Sequence, residues 1–241
     1  MIGAILFFKK DWITILGFPN RLSQIIACVI AGILAFVAFN VFISSVLSNG
    51  GYQMVSAMGR LSEYFGSYPL LCRTLWRICQ PLNEEIVLRA LLLGFFAHFF
   101  SNRACLAIIA ALVFSGLHLL IYYFGQLNTQ LDISALLTLF FFALAANSLY
   151  LAFNHIAFGF VFHLAWNWWR FSGDIVRDGV VLNEAQTFNA LEGSTTVLIF
   201  VSLLSLACFI GLGLRTSKIP LFNRQKSPMK YSSGNSAESR F

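Results

Sequence analysis

Residues 80–96 read QPLNEEIVLRALLLGFF, and this stretch poses the problem that the fold must solve, because Glu84, Glu85 and Arg89 stand in an otherwise apolar run. Ionisable side chains in hydrocarbon cost on the order of 2–4 kcal/mol each by insertion scales, so they must face a protein interior or a wet cavity. Pro81 and Asn83 are residue types that begin helices, which predicts a helix starting here with both carboxylates in its first turn. The positive end of that helix's dipole then helps keep a carboxylate ionised. Arg89 lies four residues beyond Glu85 and can pair with it along one face. Glu84, rotated about 100° away, has no partner in its own segment. A carboxylate left free in a partly dry cavity is a candidate general base.

The rest of the chain supplies the surroundings. Of its 241 residues 58% are hydrophobic and only 11% charged, with a mean hydropathy of +0.75, which excludes an ordinary water-soluble domain. Apolar blocks run from Ile25 to Leu47, Leu82 to Phe100, Ala104 to Phe124, Ile133 to Phe153, His155 to Trp169 and Thr196 to Leu214. Most approach the roughly 20 residues that cross a bilayer. The fold class expected is an all-α polytopic membrane protein of about six transmembrane helices plus interfacial helices. Residues 68–79, with Arg73 and Arg77 on one face, and residues 1–18 are read as helices lying in the interface.

The net charge of +6 sits at the ends: Lys9, Lys10 and Arg21 precede the first block, and Arg215, Lys218, Arg224, Lys226 and Lys230 follow the last. Such flanks mark the cytoplasmic side of membrane helices rather than a nucleic-acid surface. With both termini cytoplasmic, the loop containing Asp174, Asp178, Glu184 and Glu192 falls outside. The five cysteines are odd in number and imply no disulfide framework. The organisation expected is an N-terminal membrane segment over 1–80, a core over 81–214 and a disordered basic cytoplasmic tail over 215–241.

Two further polar sets accompany the glutamates. FSGLH places Phe114 and His118 at i and i+4, and HLAWN places His163 and Asn167 at the same spacing. A neutral imidazole and an amide one turn apart can aim two donors at a developing oxyanion. The other histidine can orient or deprotonate a water with Glu84. By helical rise, Glu84, His118 and His163 fall in one leaflet or at mid-plane, in the outer half under this topology. Any single one of these histidines reads more simply as interhelical glue. His98 and His155, with no companion at helical spacing, are read as structural or interfacial, and Trp166, Trp168 and Trp169 as an interfacial belt.

Together the sets resemble a known family. EEIVLR resembles the EExxxR motif, FSGLH the FxxxH motif and HLAWN the HxxxN motif of the CPBP (CAAX protease and bacteriocin-processing) intramembrane proteases, which include type II CAAX prenyl endopeptidases and bacterial Abi proteins. The resemblance covers roughly residues 80–170, with the motifs within 84–167, and implies a CAAX-protease-like helical bundle. It implies a glutamate-dependent peptidase in which Glu84 and His118 activate a water and His163 and Asn167 stabilise the oxyanion. Glu85, Arg89 and Phe114 support the site. No cofactor is expected, although Glu84, His118 and His163 could formally give three zinc ligands. The chain has no HExxH. The implied partners are the lipid bilayer and a membrane-anchored protein or peptide substrate, with no nucleic acid. The implied location is the bacterial cytoplasmic (inner) membrane.

Other function classes remain open on the sequence. A non-catalytic immunity or scaffold protein would bind a peptide in the same cavity without cutting it. A small transporter would use the embedded Glu, Arg and His as a proton relay, but no inverted repeat is visible.

Overall fold

The computed structural model describes residues 22–55, 69–97, 99–124, 132–170, 174–182 and 184–215. The interfacial helix expected over 1–18, His98 and nearly all of the basic tail lie outside them. In chain order the elements are α1 (Leu22–Asn49), β1 (Tyr52–Val55), α2 (Pro69–Glu84), a π-helical segment (Glu85–Leu92), α3 (Leu93–Phe96), α4 (Arg103–Phe124), α5 (Ile133–Phe153), α6 (Ile156–Arg170), β2 (Asp174–Arg177), β3 (Val180–Val181), α7 (Glu184–Glu192) and α8 (Thr195–Arg215).

The helix α5 is the centre of the bundle. It is apolar all round, with no polar stripe to keep in contact with solvent, which is the pattern of a helix enclosed on every side. Ala135, Ala143, Ala145 and Ala146 are fully buried along it. Such small residues let neighbouring backbones approach closely. Accordingly α5 packs against α4, α6 and α8, while α1 packs along α6. The outward faces of α1, α4 and α8 carry Ile25, Ile33, Leu112, Leu120, Leu203 and Leu214 in the open. Apolar side chains on the outside and alanines within are what a hydrocarbon solvent requires, and the chain is an integral membrane protein of the all-α class.

Four described helices are long and apolar enough to cross a bilayer: Leu22–Asn49, Arg103–Phe124, Ile133–Phe153 and Thr195–Leu214. The other two of the six blocks differ. The 15-residue α6 extends about 22 Å, short of a hydrocarbon core of about 30 Å. The block expected to begin at Leu82 is the second half of a helix that starts at Pro69 and runs unbroken to Phe96. Pro81 therefore lies inside a helix, and Glu84 has ordinary helical angles of φ −62° and ψ −41°. This corrects the expectation of a helix start at Pro81 and Asn83. The carboxylates are not in a first turn, so no helix dipole supports them.

The acidic stretch after α6 is not a plain loop. It forms a three-stranded antiparallel sheet with the order β1-β2-β3, followed by α7. Tyr52 pairs with Arg177 and Val55 with Asp174, while Val176 pairs with Val181. Asp178 and Gly179 make the hairpin turn with φ of 52° and 77°. Positive φ at both positions is what a two-residue turn needs to match strand twist, and Asp-Gly suits it. Ile175 carries the sheet into the core beside Phe39, Ile43, Leu47 and Trp166, covering one end of α1 and α6.

Candidate active site

The junction between α5 and α6 orients the helix that carries His163. Asn154 adopts a left-handed conformation at φ 55°, its N–H bonding to Tyr150 O at 2.7 Å, and α6 begins two residues later. Asparagine tolerates that region better than most residues. The chain thus reverses at once and lays α6 along α5. His155, at the turn, is buried and stacks on Phe158 at 4.9 Å, away from the carboxylates.

Glu84 and Glu85 occupy the boundary where α2 gives way to the π segment, and they have different surroundings. The Glu85 carboxylate is fully buried, its Oε1 lying 2.9 Å from His163 Nδ1 and 3.2 Å from an Arg89 terminal nitrogen. Arg89 is itself fully buried and sits over the Phe114 ring at 4.7 Å. None of its three guanidinium nitrogens makes a hydrogen bond among the described residues, so charge and the ring face hold it. The Glu84 side chain keeps 21% of its surface accessible, and its Oε2 lies 3.7 Å from His163 Nε2. Gln80, one turn earlier, donates to Glu84 Oε1 at 3.2 Å. The expectation that Glu84 has no partner within its own helix is corrected by that bond. His163 is thus flanked by a carboxylate on each ring nitrogen.

The hydrogens on the two rings follow from their partners. A carbonyl oxygen only accepts, so His118, whose Nδ1 lies 3.0 Å from Phe114 O, donates from Nδ1 and keeps its Nε2 lone pair when neutral. Its ring rests against the Phe114 ring at 4.3 Å, which links it to the Arg89 side of the cluster. His163 likewise donates from Nδ1 to the Glu85 carboxylate beside Arg89. Donation from Nε2 as well then needs one more proton on the His163–Glu85 pair. Asn167 follows one turn later on the same face of α6 and is buried. Phe142 of α5 stands edge-on to His163 at 5.2 Å and packs on Trp166 at 5.4 Å. Trp166 is 3% exposed, so it is a core residue rather than part of an interfacial belt. The side chains of Trp168 and Trp169 lie outside the described residues.

The structure therefore gathers Glu84, Glu85, Arg89, His163 and Phe114 by direct contact, sets His118 against Phe114 and carries Asn167 on the His163 face. Gln80 and Phe142 were not singled out from sequence. The i, i+4 spacing of Gln80 and Glu84 was a readable signal, whereas Phe142 is one of 26 phenylalanines with nothing local to mark it. Among the described residues no three of His, Cys, Asp or Glu are grouped so as to hold an ion, and each of the two histidines turns its Nδ1 to an acceptor, Glu85 for His163 and the Phe114 carbonyl for His118.

Comparison with known proteins gives one family. The model of the type II CAAX prenyl endopeptidase Rce1-like family matches residues 66–169. That range contains all three motifs, the π segment and α4 to α6 almost to its end. No curated protein and no solved structure matches the chain.

Proposed function

We propose that this chain, whose residues 66–169 match the model of the type II CAAX prenyl endopeptidase Rce1-like family, is a CAAX-type membrane protease that cleaves its substrate with a water activated by Glu84. The observation that carries this reading is the unequal treatment of adjacent carboxylates. Glu85 is buried and consumed by Arg89 and His163, whereas Glu84 keeps an accessible edge beside His163 Nε2. A general base must reach a water, and of the two only Glu84 has an open side.

In this scheme Glu84 takes a proton from the attacking water, with Nε2 of His118 as the second acceptor that orients it. Attack on the peptide carbonyl gives a tetrahedral oxyanion, to which His163 donates from Nε2 and Asn167 from its amide. Glu84 then returns the proton to the departing amine. Glu85, held by Arg89, keeps the His163 ring in place. The substrate is a membrane-tethered protein or peptide, which fits a site built between helices of an integral membrane protein. The chain resides in a bacterial cytoplasmic membrane, its site open to the outer side.

The test is a comparison of protein termini in membranes carrying the wild type or Glu84→Ala. New termini that vanish with Glu84→Ala, while the variant stays folded in the membrane, are the expected outcome. Identical termini in both would favour a binding or scaffold protein.

A further inference from the structure

The Glu85 carboxylate lies along one turn of α6, with Oε1 on His163 Nδ1 and Oε2 over Gly159, four residues before His163. A Cβ built on Gly159 would stand 2.5 Å from Glu85 Oε2 and 3.5 Å from its Cδ. No real Cβ approaches an oxygen so closely without something moving. The next atom such a carbon would meet, Ala146 O, is at an ordinary 3.8 Å, so backbone packing alone does not require glycine here. Nor does backbone conformation, because Gly159 lies within α6 and its φ is not positive. The conflict is with the carboxylate alone.

We propose that Gly159 is a positioning residue, an opening in the wall of α6 that lets the Glu85 carboxylate lie flat and fix the His163 ring. This rests on His163 serving as the oxyanion donor. Any side chain at 159 has to swing the carboxylate away from α6. Its other oxygen is the one bound to His163 and Arg89, so the swing breaks the His163 contact first. The carboxylate is the end of a rotatable side chain, so Gly159→Ala can fold around the change and register it as misplacement of His163. A displacement of about 1 Å at a reacting group costs roughly a hundredfold in rate.

The test uses full-length protein in lipid nanodiscs, with histidine ring nitrogens labelled and His163 assigned by its loss in His163→Gln. Gly159→Ala is expected to shift the His163 nitrogen signals and leave those of His155 in place. With a substrate found from the Glu84-dependent termini, turnover should fall about a hundredfold with little change in KM. Glu85→Asp, which draws the carboxylate back from both partners, should lose turnover by itself, and Gly159→Ala should then add almost nothing. Unmoved His163 signals, or a full additional loss on the Glu85→Asp background, would overturn the proposal. If Gly159→Ala does not fold, Gly159→Ala with Glu85→Asp should recover the fold, and failure to do so would also overturn it. The ring signals need no substrate, so they judge Gly159 even if no Glu84-dependent cleavage is found.

Discussion

Arg89→Met should destabilise the protein far more than the joint change Glu85→Leu with Arg89→Met. In the wild type the two charges are fully buried and 3.2 Å apart. At an effective dielectric constant of about 20, that separation corresponds to an attraction of about 5 kcal/mol. Breaking a buried pair from one side costs about 3–5 kcal/mol in other proteins, and here it leaves the buried Glu85 charge with only the His163 Nδ1 at 2.9 Å. Methionine over the Phe114 ring retains part of the cation–π contact as a sulfur–aromatic one, so the ring adds little to the difference. Arg89→Met should therefore lower the folded-to-unfolded ratio by roughly a thousandfold. Removing both charges leaves two apolar side chains in an apolar place and should return stability to within about 1–2 kcal/mol of wild type. Unfolding in mixed micelles, titrated with a denaturing detergent, measures both variants. Equal instability of the single and double variants would refute the reasoning, since the Glu85 charge left without Arg89 could not then be the cause. Cleavage should stay low in both, because His163 loses its fixed acceptor in the double variant.

Asn167→Ala should lower turnover by about 10²–10³-fold with stability little changed, the usual size for losing one oxyanion donor; a loss appearing only in KM would assign Asn167 to substrate binding. Cleavage should continue in a strong chelator, and activity lost there and restored by zinc would reverse the metal-free reading. Gly179→Val should destabilise the β2–β3 hairpin by about 1–2 kcal/mol, because φ of 77° is costly for any side chain and worst for a branched one. Reporters fused after Gly125 and after Phe241 should report opposite sides of the membrane, the first outside. A cytoplasmic signal after Gly125 would invert the proposed orientation.

The helices α4, α5, α6 and α8 were legible within a residue or two, because an apolar run bounded by polar residues leaves little choice in a bilayer. The start of the glutamate helix was not, for a local reason. Proline and asparagine are strong start signals, but the amphipathic turns from Pro69 onward continue through Pro81, and tertiary contact with α6 outweighs one lost backbone bond. The small sheet was readable in part: Asp178-Gly179 between IVR and VV is a hairpin signature, though it lies in an acidic stretch whose composition reads as loop. Its pairing with Tyr52–Val55, over a hundred residues away, left no local trace. In the site, spacing alone gave the Glu85–Arg89 pair and the sharing of a face by His163 and Asn167. The contact of Glu85 with His163 and the need for glycine at 159 arise only when two helices meet.

The widened turn from Glu85 to Leu92 has a consequence for how this site tolerates change. A π segment holds more residues in its length than an α-helix would, and acts as a phase shift between the helical turns on its two sides. The residue that works, Glu84, ends the α-helical turns upstream, and those that hold, Glu85 and Arg89, lie within the widened segment itself. Deleting one residue such as Val87 would let the segment relax to regular winding with the turns on its two sides still in phase, but would shorten the Glu85–Arg89 spacing from four residues to three. Substitutions along this helix can thus be absorbed one at a time, whereas a single-residue deletion inside the segment would keep every functional side chain yet turn Arg89 away from Glu85.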